Sequence, residues 1–464
     1  MLELPTNRNV KFIVLTNFRI IKCNITLTKY MKARFAFPTH FNVLIFFILQ
    51  ACWLLPLRCE AQFVKGADIG WLQQMEATGY KFYNNAGENK ECLQILKEKQ
   101  LNTVRLRVWV NPSNDKINGF CGKKEVAQMA VRAHDMGMRV MIDFHYSDSW
   151  ADPSKQTKPA AWVSHSFSQL LTDVYNHTYQ VLDTLKSLGV TPEWVQIGNE
   201  IAGGMLWPDG KSSNWTQLSQ LLNKGYDAAK AVDQSIKVII HLESGNDNNL
   251  YRWFFDNAKN YQVQYDIIGM SYYPYWIGSD YKATIESLGI NLLDMTERYG
   301  KDVMVVETGG EYNQVQNTFD MLQAVIRKVA DVPNHRGLGV LYWEPEGEKT
   351  WSGYSLSCWG ADGRPTAALD AFLTDPSVGM EENALNIDLP VFPNPVSGGI
   401  LHIDLSNYHG TTQIQFFDIN GKILRNMECE NQQRVTLNLK EYSGLVVMLI
   451  TNGGVTQVRK VFLR

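Results

Sequence analysis

Between Gln62 and Phe372 the chain alternates, eight times over, a short β-branched run with a longer stretch whose apolar residues recur every three or four positions. The runs are FVKGADIG from Phe63, TVRLRVWV from Thr103, RVMIDFHY from Arg139, WVQIGNE from Trp194, KVIIHLES from Lys237, IIGMSYYP from Ile267, VMVVETGG from Val303 and LGVLYWEPE from Leu338. Near-continuous apolar runs are what strands buried on both faces look like, and helices packed on a parallel sheet bury both faces. The intervening amphipathic stretches include Val126 to Met136, Leu170 to Leu188, Leu218 to Val232 and Thr318 to Val329. Eight such units predict an α/β fold, a (β/α)8 TIM barrel of modest size; a doubly wound open sheet is the alternative.

Two further kinds of sequence flank the repeat. Upstream, Lys32 and Arg34 precede the apolar run from Phe41 to Leu57, and Arg58, Cys59, Glu60 and Ala61 follow it. These are the charged, apolar and small-residue zones of a signal peptide cleaved after Ala61. The run is short for a membrane span and is broken by Gln50 and Pro56, so an uncleaved anchor is the lesser alternative. The reading divides the chain into a doubtful extension (1–30), a leader (31–61), the barrel (62–375), an acidic patternless linker (376–390) and a C-terminal block (391–464). That block holds short alternating strands, ILHIDLS, TQIQFFD, KILRN, RVTLNL, LVVMLI and VRKVFL, with Asn-Gly in DINGK as a hairpin turn, so a small all-β sandwich domain is expected.

A formal net charge of −3 leaves no broad basic surface for nucleic acid or anionic lipid. Cys23, Cys52 and Cys59 fall in the leader region. The remaining Cys92, Cys121, Cys358 and Cys429 are too scattered for a disulfide framework, although Cys92 and Cys121 could pair, and no Cys/His set has zinc-ligand spacing.

In a (β/α)8 barrel, chemistry sits at the C-terminal strand ends. Here those ends carry Asp68, Arg105 and Arg107, Asp143 and His145, Asn199 and Glu200, His241 and Glu243, Tyr272 and Tyr273, Glu307, and Trp343 and Glu344. Each alone reads equally well as a cap for the following helix. Glu200 and Glu307, ending the fourth and seventh strands, approach one cavity from opposite parts of the ring. A pair of carboxyls there suits glycosidic bond cleavage, which needs one protonated acid and one ionised nucleophile held apart in pKa by their surroundings. A separation near 5 to 5.5 Å indicates retention, and about 6.5 Å or more inversion.

The stretches KGADIGW, NTVRLRVWVNP, DFHYSDSWADP, WVQIGNEI, GMSYYPYW, VVET and YWEP together resemble glycoside hydrolase family 53, the endo-β-1,4-galactanases acting on type I arabinogalactan, over nearly all of 63–372. The resemblance implies a retaining endo-hydrolase with Glu200 as acid/base, Glu307 as nucleophile and Asn199 on the sugar 2-hydroxyl. It places an arginine beside the nucleophile, preferably Arg105, on the expectation that Arg107 turns toward the helices. It puts Tyr272 against the nucleophile, with Tyr273 as competitor, sets Trp343 under the sugar, and has Asp143, His145, Asp148 and Asp152 lining the cleft. ETGGEYNQVQ lacks the acidic loop of bacterial relatives, so no calcium site of that kind, no other metal and no cofactor are expected. Trp351 and Trp359 are read either as stacking platforms or as packing. The partner implied is galactan or arabinogalactan, met by an exported monomer, with another retaining glycanase (mannan or xylan) or a non-catalytic glycan-binding barrel as alternatives. FPNP, FFDINGK and VRKVFLR resemble the C-terminal sorting domains of secreted Bacteroidota proteins, which with the leader would give an outer-membrane association; a carbohydrate-binding module is the rival.

Overall fold

The computed structural model describes residues 62–113, 119–374 and, apart from five short gaps, 391–463. The extension, leader and linker lie outside these residues, as do Asn420 and Gly421 of the expected hairpin turn. The eight runs are strands β1 (Val64–Asp68), β2 (Thr103–Val108), β3 (Arg139–Phe144), β4 (Trp194–Ile197), β5 (Lys237–Leu242), β6 (Ile267–Tyr272), β7 (Asp302–Thr308) and β8 (Gly337–Trp343). Each pairs in parallel with its sequence neighbours and β8 pairs with β1, so the sheet closes into a barrel.

Strand alternation divides the side chains into two sets. Val104, Leu106, Val140, Ile142, Val238 and Ile240 point outward into the layer shared with the helices. The opposite set points in, and its first level is a separate apolar cluster of Val64, Met141, Trp194, Ile239, Ile267, Met304, Val306 and Leu341. The inward charged residues lie above this level, toward the C-terminal strand ends.

The helices Lys123–Asp135, Phe167–Ser187, Trp215–Val232 and Val315–Ala330 each start three residues before the apolar pattern does. Their opening turns are largely polar, and two of the four have a side-chain cap. Ser166 and Gln169 form a reciprocal capping box, and Asn214 accepts from the Gln217 amide, which satisfies donors that a helix start leaves open. After β8 the outer element is not a full helix but a 3₁₀ segment, Ala367–Leu373. Its end is fastened by Lys65, whose Nζ donates to the carbonyls of Phe372 at 2.7 Å and Thr374 at 2.9 Å.

The C-terminal block forms two antiparallel sheets. β9 (Val391–Phe392), β10 (Ile400–Asp404) and β13 (Arg434–Asn438) make one, in the order β9-β10-β13. β11 (Thr411–Phe417), β12 (Ile423–Glu430), β14 (Gly444–Asn452) and β15 (Val455–Leu463) make the other, in the order β12-β11-β14-β15. Leu401, Ile403 and Leu437 of the first share a core with Ile414, Phe416 and Met448 of the second, as two packed sheets require.

Candidate active site

Above the apolar level, the inward positions of seven strands are Asp68, Arg105, Asp143, Gln196, His241, Ser271 and Glu307, and Trp343 completes the ring from β8. Simple alternation would not deliver Glu307, because Val306 already points in. A bulge supplies the missing step: Met270 pairs with Val305 but Ser271 pairs with Glu307, so one extra residue turns the glutamate inward, a use of bulges typical beside active sites. Glu200 needs a different device. Gly198 has φ +82° and Glu200 itself φ +50°, the left-handed region that costs a non-glycine residue energy and tends to mark functional sites. A Cβ on Gly198 would meet Ile201 Cγ2 at 2.7 Å.

Glu307, almost fully buried, is held by a cation and a hydroxyl. Arg105 Nη1 lies 2.8 Å from its Oε1, and Tyr273 Oη donates to Oε2 at 3.3 Å. Arg105 is itself completely buried and fixed by Asp68 at 2.9 Å, Asp143 at 2.8 Å and the side-chain oxygens of Gln196 at 3.1 Å and Asn199 at 3.0 Å. That satisfaction is what makes a buried cation tolerable.

Glu200, partly exposed, has no cation in contact among the described residues. Ser271 Oγ lies 2.7 Å from its Oε1, and His241 Nε2 lies 2.7 Å from the same hydroxyl. His241 Nδ1 lies 3.0 Å from Gln196 Nε2, 3.1 Å from Asn199 Oδ1 and 3.4 Å from the Glu200 amide; with two donors aimed at Nδ1 the ring carries its proton on Nε2 and donates to Ser271, which in turn donates a hydrogen bond to Glu200. Burial, and then the Arg105 charge, hold His241 well below its usual pKa, hence neutral. Burial pushes the Glu200 carboxyl well above its ordinary value, the neighbouring Glu307 adds to this, and the Ser271 hydrogen bond opposes it. Glu307 is also raised by burial, but Arg105 pulls it back. Oxygens of the two carboxyls, together with a His241 nitrogen, lie within 4.8 Å of one another. Three such groups can in principle hold a metal, but both His241 nitrogens are already engaged.

The family model of Glycosyl hydrolase family 53 matches residues 64–428. The chain belongs to that family. Family 53 relatives include an endo-β-1,4-galactanase of Bacillus subtilis, 33% identical over 344 residues that cover 68% of this chain and 78% of that protein. A probable arabinogalactan endo-β-1,4-galactanase A of Neosartorya fischeri is 36% identical over 305 residues, covering 61% of this chain and 83% of that one. Among solved structures, the family 53 catalytic domain from Ignisphaera aggregans superposes with a TM-score of 0.63 at 30% identity, over 68% of this chain and 97% of that one. The chain is a glycoside hydrolase built on the family 53 barrel.

Several expectations need correction. Arg107 does not turn toward the helices; two positions from Arg105, it shares its inward face. It bonds Asp68 at 3.3 Å and Glu344, with its guanidinium among the rings of Trp150 at 4.4 Å, Trp109 at 5.4 Å and Trp71 at 5.6 Å. Tyr272 does not reach the nucleophile. It continues the outward series of Ile268 and Met270, and its hydroxyl meets Thr284 at 2.9 Å; Tyr273, in the inward series, takes the contact. Asp143 is fully buried beneath the cleft, clamped by Arg105 and by Gln196 Nε2 at 2.6 Å. His145 joins it there, with Nε2 2.9 Å from Asp143 Oδ2 and Nδ1 accepting from the Ala151 amide at 3.0 Å.

Asp148 and Asp152 hold loop backbone instead of a free cleft wall. Asp148 accepts from the amides of Asn111 at 2.9 Å and Ala160 at 2.8 Å, and Asp152 from Ser154 at 2.8 Å. Asn199 places its Oδ1 on Arg105 and its Nδ2 on the Ala151 carbonyl at 2.9 Å. Trp343 is partly exposed and packs edge-on against Trp71 at 5.1 Å and Tyr354 at 4.8 Å. Trp359 is core, and Trp351 packs on Trp71 at 6.3 Å. Cys92 and Cys121 do not bridge; all four described cysteines are buried thiols, and burial pushes Cys121 and Cys358 up to about 12, which leaves them unreactive.

Sequence reasoning missed Ser271 and Gln196, being drawn to charge, although the alternation that places Arg105 inward places both of them. It also missed Trp71 and Trp150, which arrive from loops.

Proposed function

We propose that this enzyme cleaves β-1,4-galactosidic bonds inside type I (arabino)galactan chains with retention of configuration, Glu200 acting as acid/base and Glu307 as nucleophile. The observation that carries the mechanism is the proximity of the two carboxyls: one oxygen of each lies within 4.8 Å of the other, which is compatible with the about 5 to 5.5 Å between the carboxyl groups of retaining enzymes. The substrate rests on the names of the relatives, endo-β-1,4-galactanases.

In the first step Glu200 gives its proton to the glycosidic oxygen, which leaves as an alcohol, while Glu307 attacks the anomeric carbon and forms a glycosyl ester. In the second, water adds its hydroxyl to that carbon, its proton returns to Glu200, and Glu307 is released. The environments suit the roles. The carboxyl without a cation starts protonated, and the one against Arg105 starts ionised. Tyr273 orients the nucleophile, Asn199 offers its amide nitrogen to the sugar 2-hydroxyl, and Trp343 supplies the apolar surface under the ring. The side chains of Asp143 and His145 act from below, through Arg105.

The test is digestion of linear galactan, mannan and xylan, with product sizing and proton NMR of the first-formed anomer. Internal cuts in galactan giving the β-anomer first are expected. An α-anomer first would refute retention, and turnover of mannan or xylan alone would refute the substrate. For residues 391–464 the proposed role is export sorting together with the leader. Deleting them should spare turnover while leaving the enzyme inside cells that otherwise export it; loss of galactan binding with export intact would favour a carbohydrate-binding module.

A further inference from the structure

Two groups of aromatic side chains stand at the C-terminal end of the barrel. Trp71, Trp150, Trp343 and Tyr354 pack on one another at 4.8 to 6.0 Å, and the guanidinium of Arg107 lies among their rings. They belong to β8, β1 and β3 and the segments after them. The other group follows β6. There Tyr275, Trp276 and Ile277 are 39%, 64% and 51% exposed, in the 3₁₀ turn Pro274–Ile277. Trp276 meets one ring among the described residues, Tyr275, edge-on at 4.8 Å, and neither belongs to the barrel core or its fringe. Three successive exposed apolar side chains beside a cleft are a candidate binding surface.

Its position says what. The turn begins directly after Tyr273, which touches Glu307, and Ser271, two residues earlier, touches Glu200. At about 2 Å of rise per residue in a 3₁₀ turn, the Trp276 backbone lies on the order of 6 Å from that of Tyr273. Around the barrel, β6 and β5 are the strands between the two carboxyls on the short side, and β8, β1, β2 and β3 are those on the long side. A sugar seated on Trp343 therefore lies toward the long side, and the part of the chain beyond the bond that Glu200 protonates extends toward β6.

We propose that Trp276, buttressed by Tyr275, is a stacking platform for the β-linked pyranose units on the leaving-group side of the cleaved bond. The platform rests on the proposed roles of Glu200, Glu307 and Trp343. It offers an apolar face without hydrogen-bond partners, which suits the C–H face of a pyranose ring and tolerates variation in the hydroxyls. A substrate with no sugar beyond the cleaved bond gains nothing from it.

The test compares kcat/KM on linear β-1,4-galactan with kcat/KM on an aryl β-galactobioside, whose leaving group is not a sugar, for the full-length wild type, Trp276→Ala and Trp276→Phe. The ratio of the two values should fall about tenfold in Trp276→Ala, equivalent to about 1.4 kcal/mol, and Trp276→Phe should recover most of it. A ratio unchanged in Trp276→Ala, whether both values fall or neither does, overturns the proposal. A wild type inert on galactan but active on another β-1,4-glycan removes the substrate reading alone, and the same ratio, taken with that glycan and its aryl glycoside, still decides the platform.

Discussion

Arg105 and Arg107 leave the same strand on the same face, and both meet Asp68, yet the two ends of that pairing serve different purposes. Arg105 lies beneath the open part of the mouth, and its remaining partners include Glu307, whose charge the proposed reaction consumes and restores. Arg107 lies under four tryptophan rings, and its remaining partner Glu344 is completely buried. Against the effect of burial, Arg107 holds the Glu344 carboxyl below its ordinary value. Beside it, Glu346 is fully buried with no hydrogen-bond partner on its side-chain oxygens among the described residues, and burial, then the Glu344 charge, push it well above its ordinary value. The same ingredients, a guanidinium among several carboxyls, become the proposed reaction centre where substrate can enter and a strut where aromatic rings keep it out.

The largest expected effect breaks the open cluster. Glu307→Ala should lower kcat on galactan by about 10⁴-fold or more, with added azide restoring turnover as a glycosyl azide; near-normal turnover would remove Glu307 from the mechanism. Next comes the direct contrast. Arg105→Met should cost about 10² to 10³ in kcat, as losing a preorganised charge partner does. Arg107→Met should act chiefly on folding, because breaking a buried pair costs about 3 to 5 kcal/mol. Thermal melts and kinetics on both variants check this, and equal loss of kcat in the two would erase the distinction.

A smaller effect sharpens the open side. Ser271→Ala removes a hydrogen bond that favours ionised Glu200. The Glu200 pKa then rises, and the alkaline limb of the pH–rate profile, where the acid is lost, should move to higher pH; a shift to lower pH contradicts the proton path through His241. The smallest belongs to the sealed side. A carboxyl whose folded pKa is raised loses stability as pH climbs from the unfolded value toward the folded one, because the unfolded chain releases the proton first. Glu346→Gln lacks that proton, so its melting temperature should match the wild type near pH 4 and exceed it by on the order of 2 °C at pH 7 to 8. A pH-independent difference would mean that Glu346 is already ionised in the folded protein.

How much of this was legible follows from which rule each residue obeys. The barrel was legible because all eight strands are apolar runs and the helices are periodic. The helix starts were placed three residues late because capping turns are polar and fall outside the apolar period. The alternation in IIGMSYY is enough to separate inward Tyr273 from outward Tyr272. The inward turn of Glu307 was not derivable in this way: VMVVE contains no mark of the bulge at Val306, which exists only because β6 and β7 fall out of step there. Nor could the sequence separate Arg107 from Arg105 by role, since three of the four tryptophans that enclose it follow β1, β2 and β3 and the fourth ends β8.

The apolar level inside the barrel has a consequence for how a polymer can be handled. With Val64, Met141, Trp194, Ile239, Ile267, Met304 and Leu341 filling the lower interior, the barrel is a cup and not a pipe. A polysaccharide cannot be threaded through it end first; it can only be laid across the rim, and both fragments must lift off on the side from which the chain arrived.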